Sequence, residues 1–258
     1  MTPLHPLDHL FVLTLVVFFP IRSATFGYRR LREASPERVP QVRVKLYRQA
    51  MLLQWTLTTL TVALWVWERR SWADLGLVFR ATWWTLGVFL AVVLTAGLML
   101  AQLPGVLRDY DALTRVRRRL SNLERMLPRT ARELRLFWLL AFTAGVCEET
   151  LYRGFLFWYL RHFLPIEWVV IVGAVIFGIG HSYQGRRGIV TTTLAGFVAG
   201  GVYVLTGSLY LPMAMHALMD AWSGYLGRAA LQATEGTPVD TTGLATAPPA
   251  GETPPPAV

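Results

Sequence analysis

The sequence predicts an all-α fold, a polytopic transmembrane helical bundle with about seven spans. Of its 258 residues, 53% are hydrophobic and only 16% are charged, which is well below the charge density of a typical soluble domain. The apolar residues are concentrated in long runs of the length needed to cross the hydrocarbon core of a bilayer. Short connections between the last four runs predict antiparallel neighbours in a bundle.

The apolar runs are the predicted spans. The first is short, and it reaches the length of a span only if the residues flanking it are included. The third begins at two tryptophans, which are typical of the interfacial aromatic belt. The predicted spans are approximately residues 4–20, 50–67, 82–103, 136–160, 167–181, 189–206 and 209–226.

The net charge of +9 comes from arginines that lie mainly between the apolar runs. They form no known nucleic-acid reader motif, so no nucleic-acid partner is predicted. With seven spans, the arginine-rich loops 22–48 and 104–135 and the loop 184–188 share one face of the bilayer. The positive-inside rule makes that face cytoplasmic, with the N-terminus outside and the C-terminus inside. Residues 108–135 have the periodicity of an amphipathic helix, which would lie on the membrane surface or be an ordinary solvated helix.

The fourth predicted span contains the acids Glu148 and Glu149 together with Arg153. A charged side chain near the bilayer centre costs about 2.5 to 3.5 kcal/mol, so it needs a partner or a function. Glu149 and Arg153 are one helical turn apart in the favourable orientation for an ion pair. Glu148 points about 100° away and stays available to hold a proton or a water. The alternative is a charge cluster that only holds helices together.

Two histidines lie in later spans, each with a possible partner one turn away. Phe177 and His181 share a face of the fifth span, and His216 precedes Asp220 by one turn in the seventh. Alone, His181 would more readily be an interfacial histidine than a ligand. The pair of His216 and Asp220 would be a structural hydrogen bond about as readily as a functional one. If the spans converge, the two imidazoles and the carboxylates can activate water directly. They can also do so through a divalent metal, with zinc favoured, held by His181, His216 and Glu148.

These motifs, in this order, resemble those of the CAAX protease and bacteriocin-processing family of intramembrane proteases. Residues 148–153 match EExxxR, residues 177–181 match FxxxH, and residues 216–220 match HxxxD/N. The resemblance covers roughly residues 128–227. It implies a metallo- or glutamate endopeptidase that hydrolyses a peptide bond of a membrane-associated or prenylated-type peptide.

The resemblance also implies roles for the motif residues. Glu148 and His181 would activate water, His216 and Asp220 would stabilise the oxyanion, and Arg153 would be structural beside Glu149. Whether a metal or glutamate alone does the chemistry stays open. Asp220 bears on this question, because an ionised carboxylate cannot donate a hydrogen bond to an oxyanion. Either Asp220 is protonated, or it serves a metal or His216.

The resemblance divides the chain into three regions. Residues 1–127 would be an N-terminal membrane region with three spans, and residues 128–231 the catalytic membrane core. Residues 232–258, rich in Pro, Thr, Gly and Ala, would be a disordered tail. The expected partners are a peptide or protein substrate and the lipid bilayer, and the expected location is a bacterial cytoplasmic membrane.

Other function classes have less support from the residues. A serine or cysteine hydrolase would use Ser182 or Cys147, but neither has a base placed one helical turn away. A transporter that uses the charges as a proton relay should often show internal repeats, and none is clear. An inactive scaffold of the same fold usually lacks a motif residue, whereas all are present here.

Overall fold

Every regular element in the described part of the chain is a helix, which confirms the predicted fold class. The computed structural model describes residues 3–22, 25 and 28–234. The α-helices are α1 Pro6–Leu13, α2 Phe19–Arg22, α3 Tyr28–Glu33, α4 Val39–Trp67, α5 Trp72–Leu75, α6 Trp83–Arg108, α7 Tyr110–Arg119, α8 Ala131–Glu149, α9 Phe157–Leu160, α10 Ile166–Gly180, α11 Gly185–Thr206 and α12 Tyr210–Ala233. Two π-helical segments, Thr14–Phe18 and Thr150–Leu156, continue α1 and α8, and short 3₁₀ turns lie at Pro36–Arg38, Ser121–Leu123 and Ser182–Gln184.

The helices form a membrane-type bundle. Three helical stretches are long and apolar enough to cross a bilayer, namely Pro36–Trp67, Trp83–Arg108 and Ser182–Thr206, while Ile166–Gly180 is apolar but shorter. No residue in the most apolar 18-residue stretch of α6 is buried inside the protein. This helix therefore presents apolar side chains on the outside of the bundle, as expected for a helix that faces lipid. Helices also occupy the other predicted segments, and the count of seven spans stays a prediction.

The helix α4 begins eleven residues before the predicted start of the second span, at Val39 instead of residue 50. Pro40 lies in its first turn, where a missing N–H does no harm. Arg43 is only 1% exposed, and its Nη1 donates to Glu133 Oε2 at 2.9 Å. The arginine-rich segment therefore enters the helix because a buried acid of α8 satisfies its charge.

The basic segment 108–135 does not form one continuous amphipathic helix. Only α7 and a 3₁₀ turn form within it before α8 begins at Ala131, where Thr130 and Glu133 form a capping box. On α7, Leu113 is buried, and Leu120 lies against Gly227 of α12. Apolar residues of this segment thus pack against the rest of the protein. The predictions of a helix on the membrane surface and of a solvated helix did not include this contact.

Glycines allow two close contacts between helices, one between α8 and α12 and one between α10 and α11. A Cβ on Gly145 would lie 2.7 Å from the Met213 carbonyl oxygen and 2.9 Å from Ala217 Cβ on α12. A Cβ on Gly178 would lie 2.9 Å from the Ile189 carbonyl oxygen on α11, so this glycine lets α11 pack close to α10. Small residues permit such backbone approach between membrane helices.

We expect Gly145→Val to destabilise the bundle by about 1 to 3 kcal/mol or more, because the added side chain meets backbone that cannot move aside. The free energy of unfolding in mixed micelles measures this. Gly97→Val is the matched control on α6, where a Cβ at Gly97 meets nothing within 4 Å. Equal stability of the two variants would contradict the expected close contact between α8 and α12.

A buried ion pair fixes the short first segment. Asp8 is fully buried and accepts two hydrogen bonds from Arg70, at 2.8 and 2.7 Å. The guanidinium also lies 4.3 Å from the ring centroid of Trp158. This arrangement holds α1 against the loop after α4, although the first apolar run is short for a span.

The predicted disordered tail falls almost entirely outside the described residues. Gln232 and Ala233 belong to the last turn of α12, and Thr234 follows it. The rest of the tail, from residue 235 onward, lies outside the part of the chain that the structure describes.

Candidate active site

The helix α8 ends at the two acids, and a π-helical segment follows them. Glu148 and Glu149 are 5% and 1% exposed, and Arg153 lies in the segment Thr150–Leu156. Single π turns inside helices are frequent at functional sites. The spacing of the charged residues predicts a regular α-helix here, so the π-helical segment is a difference between the structure and the prediction.

The carboxylate of Glu148 has one satisfied oxygen and one oxygen without a hydrogen-bond partner. Gln54 Nε2 on α4 donates to Glu148 Oε1 at 2.7 Å. Glu148 Oε2 is buried and has no hydrogen-bond partner in the described part of the chain. It lies 3.8 Å from His181 Nε2 and 4.0 Å from His216 Nε2. The structure thus brings Glu148 together with both predicted histidines.

Glu149 joins the other charged groups of the site. Arg153 Nη1 donates to Glu149 Oε1 at 2.9 Å, so the predicted ion pair is present. The same oxygen lies 2.8 Å from His216 Nδ1, a contact that the sequence did not predict. Arg153 Nη2 also donates to the Gly196 carbonyl of α11 at 3.1 Å. One buried carboxylate therefore connects α8 and the π segment with α12.

The partners of the two imidazoles determine which ring nitrogens carry hydrogen. His181 Nδ1 lies 2.9 Å from the Phe177 carbonyl oxygen, which can only accept, so Nδ1 carries the hydrogen. His216 Nδ1 in turn donates to Glu149 when that carboxylate is ionised. The other ring nitrogen of each imidazole, Nε2, faces Glu148. His216 Nε2 also lies 3.7 Å from Asp220 Oδ2.

Phe177 packs among the functional side chains and limits their movement. Its ring centroid is 4.3 Å from the Arg153 guanidinium carbon. The ring centroids of His181 and His216 are 4.7 and 5.9 Å away. The FxxxH motif therefore supplies the aromatic wall of the site as well as a histidine.

A cavity of about 160 Å³ reaches Glu148 and His181. Its apolar lining includes Phe19, Leu53 and Leu140. We call this space the catalytic cavity. The helices α2, α3 and α4 also contribute to the walls of this cavity. Nothing in the sequence predicts this contribution, because these helices are far from the motifs along the chain.

The donor types at this site fit zinc, which nitrogen and carboxylate oxygen ligands commonly hold. The unsatisfied Oε2 of Glu148 between two imidazole Nε2 atoms is the observation in favour of a metal. As arranged, however, the described residues contain no group of three or more His, Cys, Asp or Glu side chains that could hold a metal ion. The predicted zinc ligands His181, His216 and Glu148 therefore stay a prediction.

The rival nucleophiles have no base available at this site. The Nδ1 atoms of both histidines contact Phe177 and Glu149 instead, and both Nε2 atoms face Glu148. Cys147 is buried, and Ser182 begins the 3₁₀ turn after α10. This arrangement gives neither side chain the base that a nucleophile needs.

Gln54 is the functional residue that the sequence missed, since nothing marks one glutamine among apolar residues. We expect Gln54→Leu to lower kcat for peptide hydrolysis about 10- to 100-fold, because hydrogen bonds to charged groups contribute about 1.5 to 3 kcal/mol. KM should change little, since Gln54 positions Glu148. Steady-state kinetics check this, with Gln102→Leu, an exposed amide on α6, as the matched control. A change confined to KM would instead place Gln54 in substrate binding.

The comparisons with known proteins agree with the motifs. Residues 130–222 match a family described as type II CAAX prenyl endopeptidase Rce1-like. This range contains all six predicted site residues, whereas Gln54 lies outside it. No curated protein and no solved structure matches the chain.

Proposed function

Because residues 130–222 belong to the Rce1-like family, we propose that this integral membrane protein is an intramembrane endopeptidase. It hydrolyses a peptide bond of a membrane-associated or prenylated-type substrate. The observation that carries the proposal is the buried, unsatisfied Oε2 of Glu148, which faces the Nε2 atoms of two histidines within 4.0 Å.

The first step is activation of water by Glu148. Separations of 3.8 and 4.0 Å between Glu148 Oε2 and the imidazoles are too long for direct hydrogen bonds and suit one bridging water. Glu148 accepts one proton of this water while the water oxygen attacks the carbonyl carbon of the scissile peptide bond. His181 Nε2 accepts a hydrogen bond from the other O–H and so orients the attack. Glu148 then returns the proton to the departing amine, which balances the reaction.

The second contribution is stabilisation of the oxyanion by His216. With Nδ1 hydrogen-bonded to Glu149, a protonated imidazole can donate from Nε2 to the developing negative charge. Glu149 and Asp220 are the acids that balance this positive charge. Asp220 needs no proton of its own in this scheme, because it acts on His216 and does not touch the oxyanion. Arg153 holds Glu149 and the Gly196 carbonyl in place.

The catalytic cavity suits a substrate that arrives from the membrane or its surface. Phe19, Leu53 and Leu140 can contact apolar side chains near the scissile bond. Arg22 and Arg30 line this cavity, and both belong to the arginine-rich segment 22–48, which supports the cytoplasmic assignment of this face. A bacterial cytoplasmic membrane, with the N-terminus outside, is part of the proposal.

The test is incubation of the purified protein in detergent with a peptide library, followed by mass spectrometry of the products. Cleavage at defined bonds is the expected result. The same preparation in vesicles should carry no proton or ion flux. Coupled flux without cleavage would overturn the proposal in favour of a transporter, and neither activity would indicate an inactive scaffold.

A further inference from the structure

A second, larger cavity adjoins the catalytic cavity. Its volume is about 1000 Å³, against about 160 Å³ for the catalytic cavity. Tyr28 and Tyr183 line both spaces, and their ring centroids are 6.0 Å apart. In the described part of the chain, these two aromatic side chains are the residues that both linings share, so the second cavity lies directly beside the catalytic one. We call it the arginine cavity.

The lining of the arginine cavity carries more basic than acidic side chains. Of the described residues that line it, five are arginines and one is an acid, Glu124. The arginines come from α3, from the start of α4 and from the loop before α8. They are Arg29, Arg32, Arg43, Arg125 and Arg129.

Several of these arginines are fixed by contacts within the protein. Arg43 pairs with the buried Glu133, and Arg29 pairs with Glu33 at the exposed surface of α3. Arg129 lies 3.5 Å from Glu124. Arg125 Nη1 donates to the carbonyl oxygens of Leu31, Arg32 and Ala34. Arg125 thus keeps its full positive charge next to the C-terminal end of α3.

The short helix α3 separates the two cavities and places positive charge in both. Arg30 lines the catalytic cavity, whereas Arg29 and Arg32 line the arginine cavity. Burial raises the pKa of Tyr28 on the same helix, and the charges of Arg32 and Arg125 oppose this rise. The positive potential therefore reaches the tyrosine that lies between the two spaces. Arg22 adds a further positive charge to the catalytic cavity.

We propose that the arginine cavity binds an acidic segment of the substrate that flanks the cleaved bond. This inference rests on the proposed peptidase function and adds a substrate class to it. Carboxylates are the peptide groups that arginine recognises best. A chain that lies across Tyr28 and Tyr183 would have its acidic side chains in the arginine cavity and its scissile bond near Glu148.

A peptide fits these observations better than the headgroup of an anionic lipid. The positive side chains continue from the arginine cavity past Tyr28 into the space that Glu148 lines. An elongated ligand that is also the reactant would follow this route. A headgroup would need only one positive cluster, separate from the reacting groups.

The test compares three fluorogenic peptides that share one cleaved sequence and carry Glu, Gln or Lys flanks. The protein is used at full length in vesicles of neutral phosphatidylcholine. We expect the acidic peptide to have the lowest KM, with an advantage that shrinks as salt is added. Arg32→Gln should raise KM for the acidic peptide about two- to fivefold, as the loss of one exposed charge pair predicts, and leave the neutral peptide unchanged.

Two variants complete this experiment. Arg32→Lys keeps the charge and should restore most of the preference. Arg119→Gln removes an exposed arginine of α7 that lines neither cavity, so it should have no effect. Equal KM for all three flanks would overturn the inference while leaving the peptidase intact. Activity that depends on added phosphatidylglycerol but not on the flank would assign the cavity to lipid, and no cleavage at all would refute the proposed function itself.

Discussion

Glu148→Gln is expected to lower kcat for peptide hydrolysis by about 10²- to 10⁴-fold, the contribution typical of a positioned general base. The amide has the shape of the carboxylate, and its oxygen can still accept the 2.7 Å hydrogen bond from Gln54. It cannot accept a proton from water. Single-turnover measurements with a cleavable peptide separate this loss in chemistry from any change in binding.

The control for this variant is Ser182→Ala. Ser182 follows His181 directly in the sequence and would be the nucleophile of a serine hydrolase, so its removal should leave kcat unchanged. Both variants should unfold at the same temperature as the parent protein. If Glu148→Gln kept more than about a tenth of the parent rate, Glu148 would not be the general base that the proposed mechanism requires.

Arg153→Met should destabilise the protein by about 3 to 5 kcal/mol, the range for removal of one partner from a buried ion pair. Glu149 is 1% exposed and would lose its guanidinium partner at 2.9 Å. The Gly196 carbonyl would lose a donor as well. The free energy of unfolding in mixed micelles, followed by tryptophan fluorescence, is the measurement.

Two further variants distinguish a loss of charge balance from a loss of side-chain volume. Glu149→Gln combined with Arg153→Met removes both charges and should recover part of the lost stability. Glu33→Gln breaks the exposed pair between Arg29 and Glu33 and should leave the unfolding temperature unchanged, because exposed pairs contribute little. A double variant no more stable than Arg153→Met would show that Arg153 acts by packing.

The sequence predicted the helical fold and the pairing of Glu149 with Arg153, because these features depend on local patterns. Apolar runs of span length and charges at one-turn spacing are visible without a structure. The ion pair between Glu149 and Arg153 follows from spacing alone. The sequence predicts that His181 and His216 lie near Glu148 only if their spans converge. In the structure, these spans do converge.

The remaining features depend on contacts between distant parts of the chain. Nothing in the sequence indicates that Gln54 reaches Glu148 or that Arg43 reaches Glu133. For the same reason, the sequence does not indicate that the helix of the second predicted span extends back to Val39. Arginines are typical of loops between spans, and the buried partner of Arg43 is known only from the structure. The position of Glu149 between Arg153 and His216 likewise needs the packing of α12 on α8.

The donors from α4 bear on how this active site could be moved to another protein. The family match begins at residue 130, but two buried carboxylates of the matched segment take hydrogen bonds from Gln54 and Arg43. A transplanted segment without α4 would leave Glu133 and Glu148 with unmet hydrogen bonds in an apolar setting, which is unfavourable by several kcal/mol per charged group. The smallest portable unit therefore includes a helix that ends some sixty residues before the matched region, and chimeras joined at the edge of the matched region should misfold.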